Sequence, residues 1–375
     1  MKKIAINALT IDSHPSGGKT YLVNLVENMS MLAGESYIFY LLIIGCYSDI
    51  FTKFLEHNNI RLIKFPRFVK HPIIRVLVEQ LYLPIWLWTQ KIDMLFAARN
   101  VMPLLTKCPT VVGILSMHLN YAKEDLPRWR RIYGSSILKI TGKRAEAYVA
   151  ISSFAGETYL NMYGLPKNRL FIAPLGFDEM ELKLSDLDHP LSIESPYILF
   201  VSTLFPHKNV AFLIRVFRRV IDSRPDLKLV IVGRDVDGAI SLLTTLADSL
   251  GIKDKVNFTG GISDNELAHL YTNARVFVFP SLTEGFGLSV LEAMAFGVPV
   301  VASNRTSIPE VVGNAGIILD PVKEDEWARA ILTIVDDEAE YSRYSQRSRE
   351  RARLFSWKKT AEITLDCFNQ VLGSQ

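Results

Sequence analysis

The sequence predicts an α/β protein made of two doubly wound halves, each a parallel sheet with helices on both faces. Three observations lead there. At 375 residues the chain exceeds one ordinary core and suits two domains of roughly 150–200 residues each. Short β-branched or aliphatic runs alternate with helical patterns along both halves, as βαβ units require. The stretch FDEMELKLSDLDHPLSIESP (177–196), acidic and bearing Ser and Pro, breaks that rhythm once, as an interdomain linker does.

The first half carries seven such runs: KIAINAL, YIFYLLII, RLIKF, DMLFAA, TVVGIL, AYVAIS and LFIAPLG. After the first of them comes SHPSGGKTYL (13–22), which ends like a nucleotide-triphosphate-binding loop. That loop needs a glycine at position 13, and Ser13 stands there, so an ATPase reading has only the tail of its motif. A strand, the Gly17-Gly18 turn and a helix still form an anion site, because N–H groups and the helix start point at one place. A plain tight turn is the other reading of the same residues. The second half repeats the alternation in YILFVST, LKLVIVG, KVNFTG, RVFVFP, PVVAS and GIILD. The last segment, YSRYSQRSRERARLFSWKKTAEITLDCFNQVL, reads as two helices broken near Phe355-Ser356.

With 49% hydrophobic and 22% charged residues, the chain is globular rather than disordered. Residues 1–190 carry 22 Lys+Arg against 16 Asp+Glu, and the remainder 20 against 23, so the basic half is expected to face an anionic partner. Cys46, Cys108 and Cys367 are odd in number and far apart, which suits a reducing cytosol and neither a disulfide framework nor a zinc site. The start MKKIAINALTID turns polar too soon for a signal peptide. YIFYLLIIGCY (37–47) is too short to cross a bilayer, and IIRVLVEQLYLPIWLWTQ (73–90) carries Arg75, Glu79, Gln80 and Pro84. A soluble, cytoplasmic protein is expected. Between residues 61 and 75, Arg61, Lys64, Arg67, Lys70 and Arg75 interleave with Phe65, Phe68, Ile73 and Ile74, and Trp86 and Trp88 follow. Residues 61–91 therefore suit peripheral contact with an anionic membrane surface at its inner, cytoplasmic face, or a solvated amphipathic helix. No nucleic-acid motif accompanies them.

The chemistry concentrates in VFVFPSLTEGFGLSVLEAMAFGVPVVAS (276–303). A strand ends at Pro280-Ser281, and a helix starting near Leu288 carries Glu292 in its second turn. Glu284 and Glu292 then face one crevice from the helix start, where the N–H groups of Phe286, Gly287 and Leu288 make an anion-binding end. Ionised glutamates only accept hydrogen bonds, and sugar hydroxyls donate them. Carboxylates for hydroxyls beside N–H groups for phosphates fit a nucleotide-sugar.

Here the sequence resembles a known family. E-G-F-G-x-x-x-L-E followed by A-x-A-x-G-x-P-V-V is similar to the signature of retaining GT-B glycosyltransferases of the mannosyltransferase-like family (glycosyltransferase family 4) that builds bacterial surface polysaccharides. GGKTYLVNL, EQLYLP (79–84), DMLFAARNVMPL (93–104), AYVAISSF, LFIAPLGFD, YILFVSTLFPHKN and FSWKKTAE resemble further segments in the family's order. The resemblance implies two Rossmann-like domains facing each other across a cleft. Residues 1–178 would bind the acceptor and 179–196 link the domains. Residues 197–357 would bind the nucleotide-sugar, and the helix 358–375 would return to the first domain.

The same resemblance implies site roles. Glu284 would hold hydroxyls of the transferred sugar and Glu292 the ribose. Phe286, Gly287 and Leu288 would offer N–H groups to the diphosphate or sugar, and Gly17 and Gly18 would serve from the first domain. Lys208 would neutralise the departing diphosphate. The family often adds an arginine at the places held here by His207 and Thr203, so one positive charge is missing unless protonated His207 or another basic residue supplies it. Many members carry His-Asp after the strand resembling TVVGI; here His118 stands three residues beyond Leu115, an acceptor-site or sugar-site candidate. Contacts around Thr203, Arg234 and Ile262 would decide the donor, with GDP-mannose favoured over a UDP-hexose. The acceptor would be a lipid-linked or lipopolysaccharide-type glycan. Double displacement needs two carboxyls about 5 Å apart; with both glutamates on hydroxyls, the resemblance implies front-face transfer with retention and neither metal nor cofactor. DVD (235–237) and DLD (186–188) match a metal-binding spacing but lie in turn-like connections. A GT-B sugar epimerase and a non-catalytic nucleotide-sugar binder are the competing readings.

Overall fold

The computed structural model describes residues 1–12, 16–115, 137–177, 193 and 196–373. The chain divides into two compact units, Met1–Gly176 with Ser356–Gln375, and Phe177–Phe355. Each is a twisted parallel sheet covered by helices, and every strand run expected from the sequence forms a strand.

In the first unit the strands are β1 (Lys2–Asn7), β2 (Tyr37–Ile44), β3 (Ile60–Phe65), β4 (Met94–Ala97), β5 (Thr110–Ile114), β6 (Ala147–Ala150) and β7 (Leu170–Ile172), in the order β3-β2-β1-β4-β5-β6-β7. All pair in parallel. Strands β4, β5 and β6 are buried along their whole length, which is why they read as unbroken apolar runs rather than alternating ones. The helix Trp357–Gly373 belongs to this unit. It packs along the helix Gly17–Ala33, Phe368 meeting Phe96 edge-on at 5.3 Å and Trp357 lying 6.5 Å from Tyr21. Gly176 is where the departing and returning strands of chain touch: a Cβ there would overlap the backbone of Ser356 and Trp357.

In the second unit β8 (Tyr197–Val201), β9 (Lys228–Val232), β10 (Val256–Gly260), β11 (Val276–Phe279), β12 (Val300–Ser303) and β13 (Ile317–Leu319) follow the order β10-β9-β8-β11-β12-β13. In both sheets the order reverses direction once, between β1 and β4 and between β8 and β11. Helices leaving that point go to opposite faces, so their loops part and leave a crevice at the strands' C-terminal ends, the usual ligand site of such sheets.

Residues 72–89 form a helical run of three pieces: Pro72–Leu77, a π-turn Val78–Tyr82, and Leu83–Thr89. Its inner side packs Val78, Leu83 and Leu87 against Phe65, Val69 and Leu95. Among the described residues no helix is long and apolar enough to cross a membrane. Cys46 is exposed, Cys108 half-buried and Cys367 buried.

Candidate active site

Two loops of the second unit meet at the reversal between β8 and β11. The loop after β8 turns through Pro206–Lys208 and ends at Asn209, whose φ of 59° is left-handed. Asn tolerates that conformation better than most residues. It also ties three loops together, donating from Nδ2 to the carbonyls of Pro280 (3.3 Å) and Pro321 (3.1 Å). Leu282 N and Ser281 Oγ both donate to His207 O, at 2.8 and 3.3 Å. This lacing sets Lys208 opposite Glu284. Lys208 Nζ lies 2.5 Å from Glu284 Oε1, with the side chains 13% and 12% exposed, and 5.6 Å from the centre of the Phe279 ring. A half-buried ion pair at the mouth of a sheet holds two opposite charges ready for a ligand that carries both charge and hydroxyls.

The segment after β12 braces the glutamate loop from behind. Glu284 N donates to Thr306 Oγ1 (3.0 Å), and Ser307 Oγ donates to the carbonyls of Glu284 (3.1 Å) and Phe286 (3.0 Å). Ser303 Oγ donates to Ser281 O at 2.6 Å. Phe286 is 4% exposed and packs edge-on against Phe355 at 5.9 Å, so its side chain is an anchor and only its backbone faces the loop. Gly287 caps the helix Leu288–Ala295 at φ 108°; a Cβ there would meet Ile308 Cδ1 at 2.6 Å. The helix has no acidic residue in its first turn, leaving its N–H end electropositive.

Glu292 lies one turn deeper. Tyr271, 1% exposed, donates its hydroxyl to Glu292 Oε2 at 2.9 Å. Burial pushes the Glu292 carboxyl up to about 7, Asp264 adds to the rise, and the Tyr271 hydrogen bond opposes it. The remaining expected donor residues sit around this centre more loosely. Thr203 is half-buried just beyond β8, and Arg234 is exposed, its carbonyl accepting from Leu204 N at 3.1 Å. Ile262 is half-buried in the connection before the helix Asp264–Asn273. His207 stacks on Phe205 at 5.6 Å. The DVD triplet is a turn: Asp235 Oδ1 accepts from Ile240 N at 3.1 Å, starting the next helix, and Asp237 is left-handed at φ 53°.

In the first unit, Gly17 and Gly18 begin the helix Gly17–Ala33, capped by Ser16 through Lys19 N at 3.3 Å. A Cβ on Gly18 would overlap the Arg99 guanidinium, so glycine there lets a cation close over the helix start. His118, Ser13 and the DLD triplet lie outside the described residues. Motif reading missed four features: the Lys208–Glu284 pairing, the Asn209 tie, the Thr306-Ser307 brace and Tyr271. LFPHKN shows Lys208 and Asn209 side by side, but not the distant partners that the fold brings to them. Tyr271 gave no signal, because a lone tyrosine on a buried helix face reads as core.

Residues 187–351 match the family model "Glycosyl transferases group 1". The chain carries a group 1 glycosyl transferase domain. That domain contains Lys208, Glu284 and Glu292. O-antigen chain mannosyltransferase B of Escherichia coli is 29% identical over 251 residues, 64% of this chain and 65% of that one. MMP alpha-(1->4)-mannosyltransferase of Mycolicibacterium hassiacum is 31% identical over 255 residues, 66% of this chain and 60% of that one. The matches thus span just under two thirds of these relatives' own lengths. Among solved structures, that of Anabaena Alr3699/HepE in complex with UDP-glucose aligns over 99% of this chain and 100% of that one, with a TM-score of 0.77 and 18% identity. At that identity the likeness is one of fold, and it extends the GT-B type of paired Rossmann-like units beyond the group 1 domain to the whole chain.

Proposed function

We propose that this chain is a retaining hexosyltransferase that takes a mannosyl unit from GDP-mannose, or less favourably a hexosyl unit from a UDP-sugar, and passes it to a lipid-linked, O-antigen-type glycan. The observation that carries the reading is the Lys208–Glu284 pair at the β8/β11 reversal, beside an unoccupied-by-acid helix start and above Glu292. A donor diphosphate takes over Lys208 as its counter-charge and lies on the N–H groups of Gly287 and Leu288. Glu284 is then released to accept from sugar hydroxyls, and Glu292 accepts from the ribose. The mannosyltransferase relatives favour mannose, and HepE, bound to UDP-glucose, supports a nucleotide-sugar donor.

In the transfer step the bond from sugar C1 to the phosphate oxygen breaks while the acceptor oxygen bonds C1 on the same face. The acceptor proton passes to the departing phosphate. The chain's part is electrostatic: Lys208 and fixed N–H dipoles meet charge as it develops on the nucleotide diphosphate. Gly17 and Gly18 of the first unit, and His118, are proposed to serve the same ligands from the acceptor side.

The test is a thermal-shift series with GDP, GDP-mannose, UDP and UDP-glucose, with and without EDTA. One nucleotide family is expected to raise the midpoint, EDTA leaving the rise unchanged; at a hundred times Kd, binding adds about 2.7 kcal/mol. Glu292→Ala is expected to shrink that shift, and Lys208→Ala to lower turnover at least tenfold. No shift with any nucleotide, or both variants behaving as wild type, overturns the assignment. Conversion of the donor sugar with no acceptor present makes the protein an epimerase.

A further inference from the structure

The helical run over residues 72–89 buries one side and bares the other. Along the bare side stand Ile73, Leu77, Leu81, Ile85 and Trp88, 54%, 51%, 56%, 61% and 66% exposed, and Phe68, 61% exposed, extends the row from the preceding turn. Steps of three and four residues place them on one helix face. Single exposed apolar residues are ordinary, whereas a contiguous row of this kind marks an interaction site.

The charges around the row are arranged, not scattered. Residues 72–89 contain two, Arg75 and Glu79, and both turn toward the protein. Glu79 Oε1 accepts from Asn7 Nδ2 at 3.0 Å, and burial raises its carboxyl above the ordinary range. Arg75 is half-buried with its Nε shut off from solvent. At one end of the row Arg67 and Lys70 are exposed, and at the other Lys91 and Lys107, with Lys107 Nζ 5.6 Å from the Trp88 ring centre. An apolar row cleared of acid and bracketed by cations matches the headgroup boundary of an anionic bilayer. Aliphatic and aromatic groups enter the acyl edge while lysine and arginine reach the phosphates. A second copy of this face would set cations against cations, which argues for lipid over self-association.

We propose that this face docks the first unit flat on an anionic lipid surface. The docking does not depend on the transfer chemistry, and where that chemistry holds it brings a lipid-linked acceptor to the enzyme. The experiment is flotation of the full chain with vesicles of phosphatidylethanolamine and phosphatidylglycerol, against vesicles of phosphatidylcholine, at low and high salt. Wild type is expected to float with the anionic vesicles and to be released as salt rises. The triple variant Leu81→Ser, Ile85→Ser, Trp88→Ser is expected to lose at least roughly tenfold in binding, because it takes three exposed apolar side chains out of the acyl edge. Arg67→Glu with Lys70→Glu is expected to lose binding at low salt. Both variants are expected to keep wild-type melting and the wild-type nucleotide shift, so failure here is separable from failure of the donor site. Equal flotation of wild type and the triple variant overturns the proposal, as does no flotation of wild type with anionic vesicles. A concentration-dependent dimer that the triple variant abolishes makes a second copy the occupant and also overturns it.

Discussion

At the scale of single residues, Glu292 carries the clearest consequence. In the unfolded chain its carboxyl ionises near 4.5, and in the folded chain burial moves that to about 7. Below the lower value both states are protonated and nothing is lost. Between the two the unfolded state ionises first, so folding is increasingly disfavoured as pH rises, and the full cost is in place above 7. A shift of this size is worth about 3 kcal/mol. Glu292→Gln removes it, so the variant's melting temperature, relative to wild type, is expected to rise progressively from pH 5 to pH 8. A difference that stays flat across that range refutes the raised value. Nucleotide-sugar affinity should move the other way: the ionised form accepts ribose hydroxyls, so wild-type binding strengthens through pH 7 while Glu292→Gln stays flat. Tyr271 stabilises the ionised form, so Tyr271→Phe is expected to shift that step to higher pH. The motif made Glu284, Glu292 and Lys208 legible as candidate donor residues, because their types and spacing are local. Their partners were not legible: Tyr271 reaches Glu292 from a helix 21 positions away, and Lys208 meets Glu284 across 76 positions.

At the scale of elements, the thirteen strand runs were readable because buried parallel strands are short apolar stretches bounded by turn residues. Loop conformation was less so. Asn209 could be seen beside Lys208, yet its left-handed backbone and its bonds to two distant carbonyls belong to the assembled sheet. Two substitutions separate those roles. Asn209→Gly keeps the backbone conformation and removes the bonds, at an expected cost of about 1–2 kcal/mol. Asn209→Ala removes the bonds and also puts in the left-handed region a residue that tolerates it less well than Asn or Gly, adding about 1 kcal/mol. Denaturant midpoints that rank Ala below Gly below wild type confirm both roles, and equal midpoints for the two variants leave only the bonds. In each variant the Lys208 loop is freer, so donor affinity should fall with stability. The helical run at 72–89 gives the opposite lesson. Its composition suggested either a membrane contact or an ordinary amphipathic helix, and only the fold shows that Leu83 and Leu87 point inward while Leu81 and Ile85 do not.

At the scale of the whole molecule, the two-sheet architecture follows from the pattern of runs, and the crossing of the chain's end back to the first unit follows from packing. The helix Trp357–Gly373 has its own reason to stay there: Trp357, Ala361, Cys367 and Phe368 are all buried, and Thr360 Oγ1 bonds back to Ser356 O at 3.1 Å. Removing the helix would bare Phe96 of β4, that side of β6 and β7, and the helix Gly17–Ala33 to water. Phe368 is the sharpest probe, fully buried and edge-on to Phe96 at the centre of the sheet. Phe368→Ala is expected to cost about 3–5 kcal/mol from lost burial and the cavity left behind, a fall of about 10 °C or more in melting temperature for a unit of this size. The proposed nucleotide site lies in the other unit, around β8 and β11, so the nucleotide-induced shift should persist in the variant at temperatures where it is folded. A variant that melts like wild type shows that the returning helix is only lightly attached. One that loses the shift while still folded shows that the returning helix, which packs in the first unit, governs the proposed donor site as well as the stability of the first sheet.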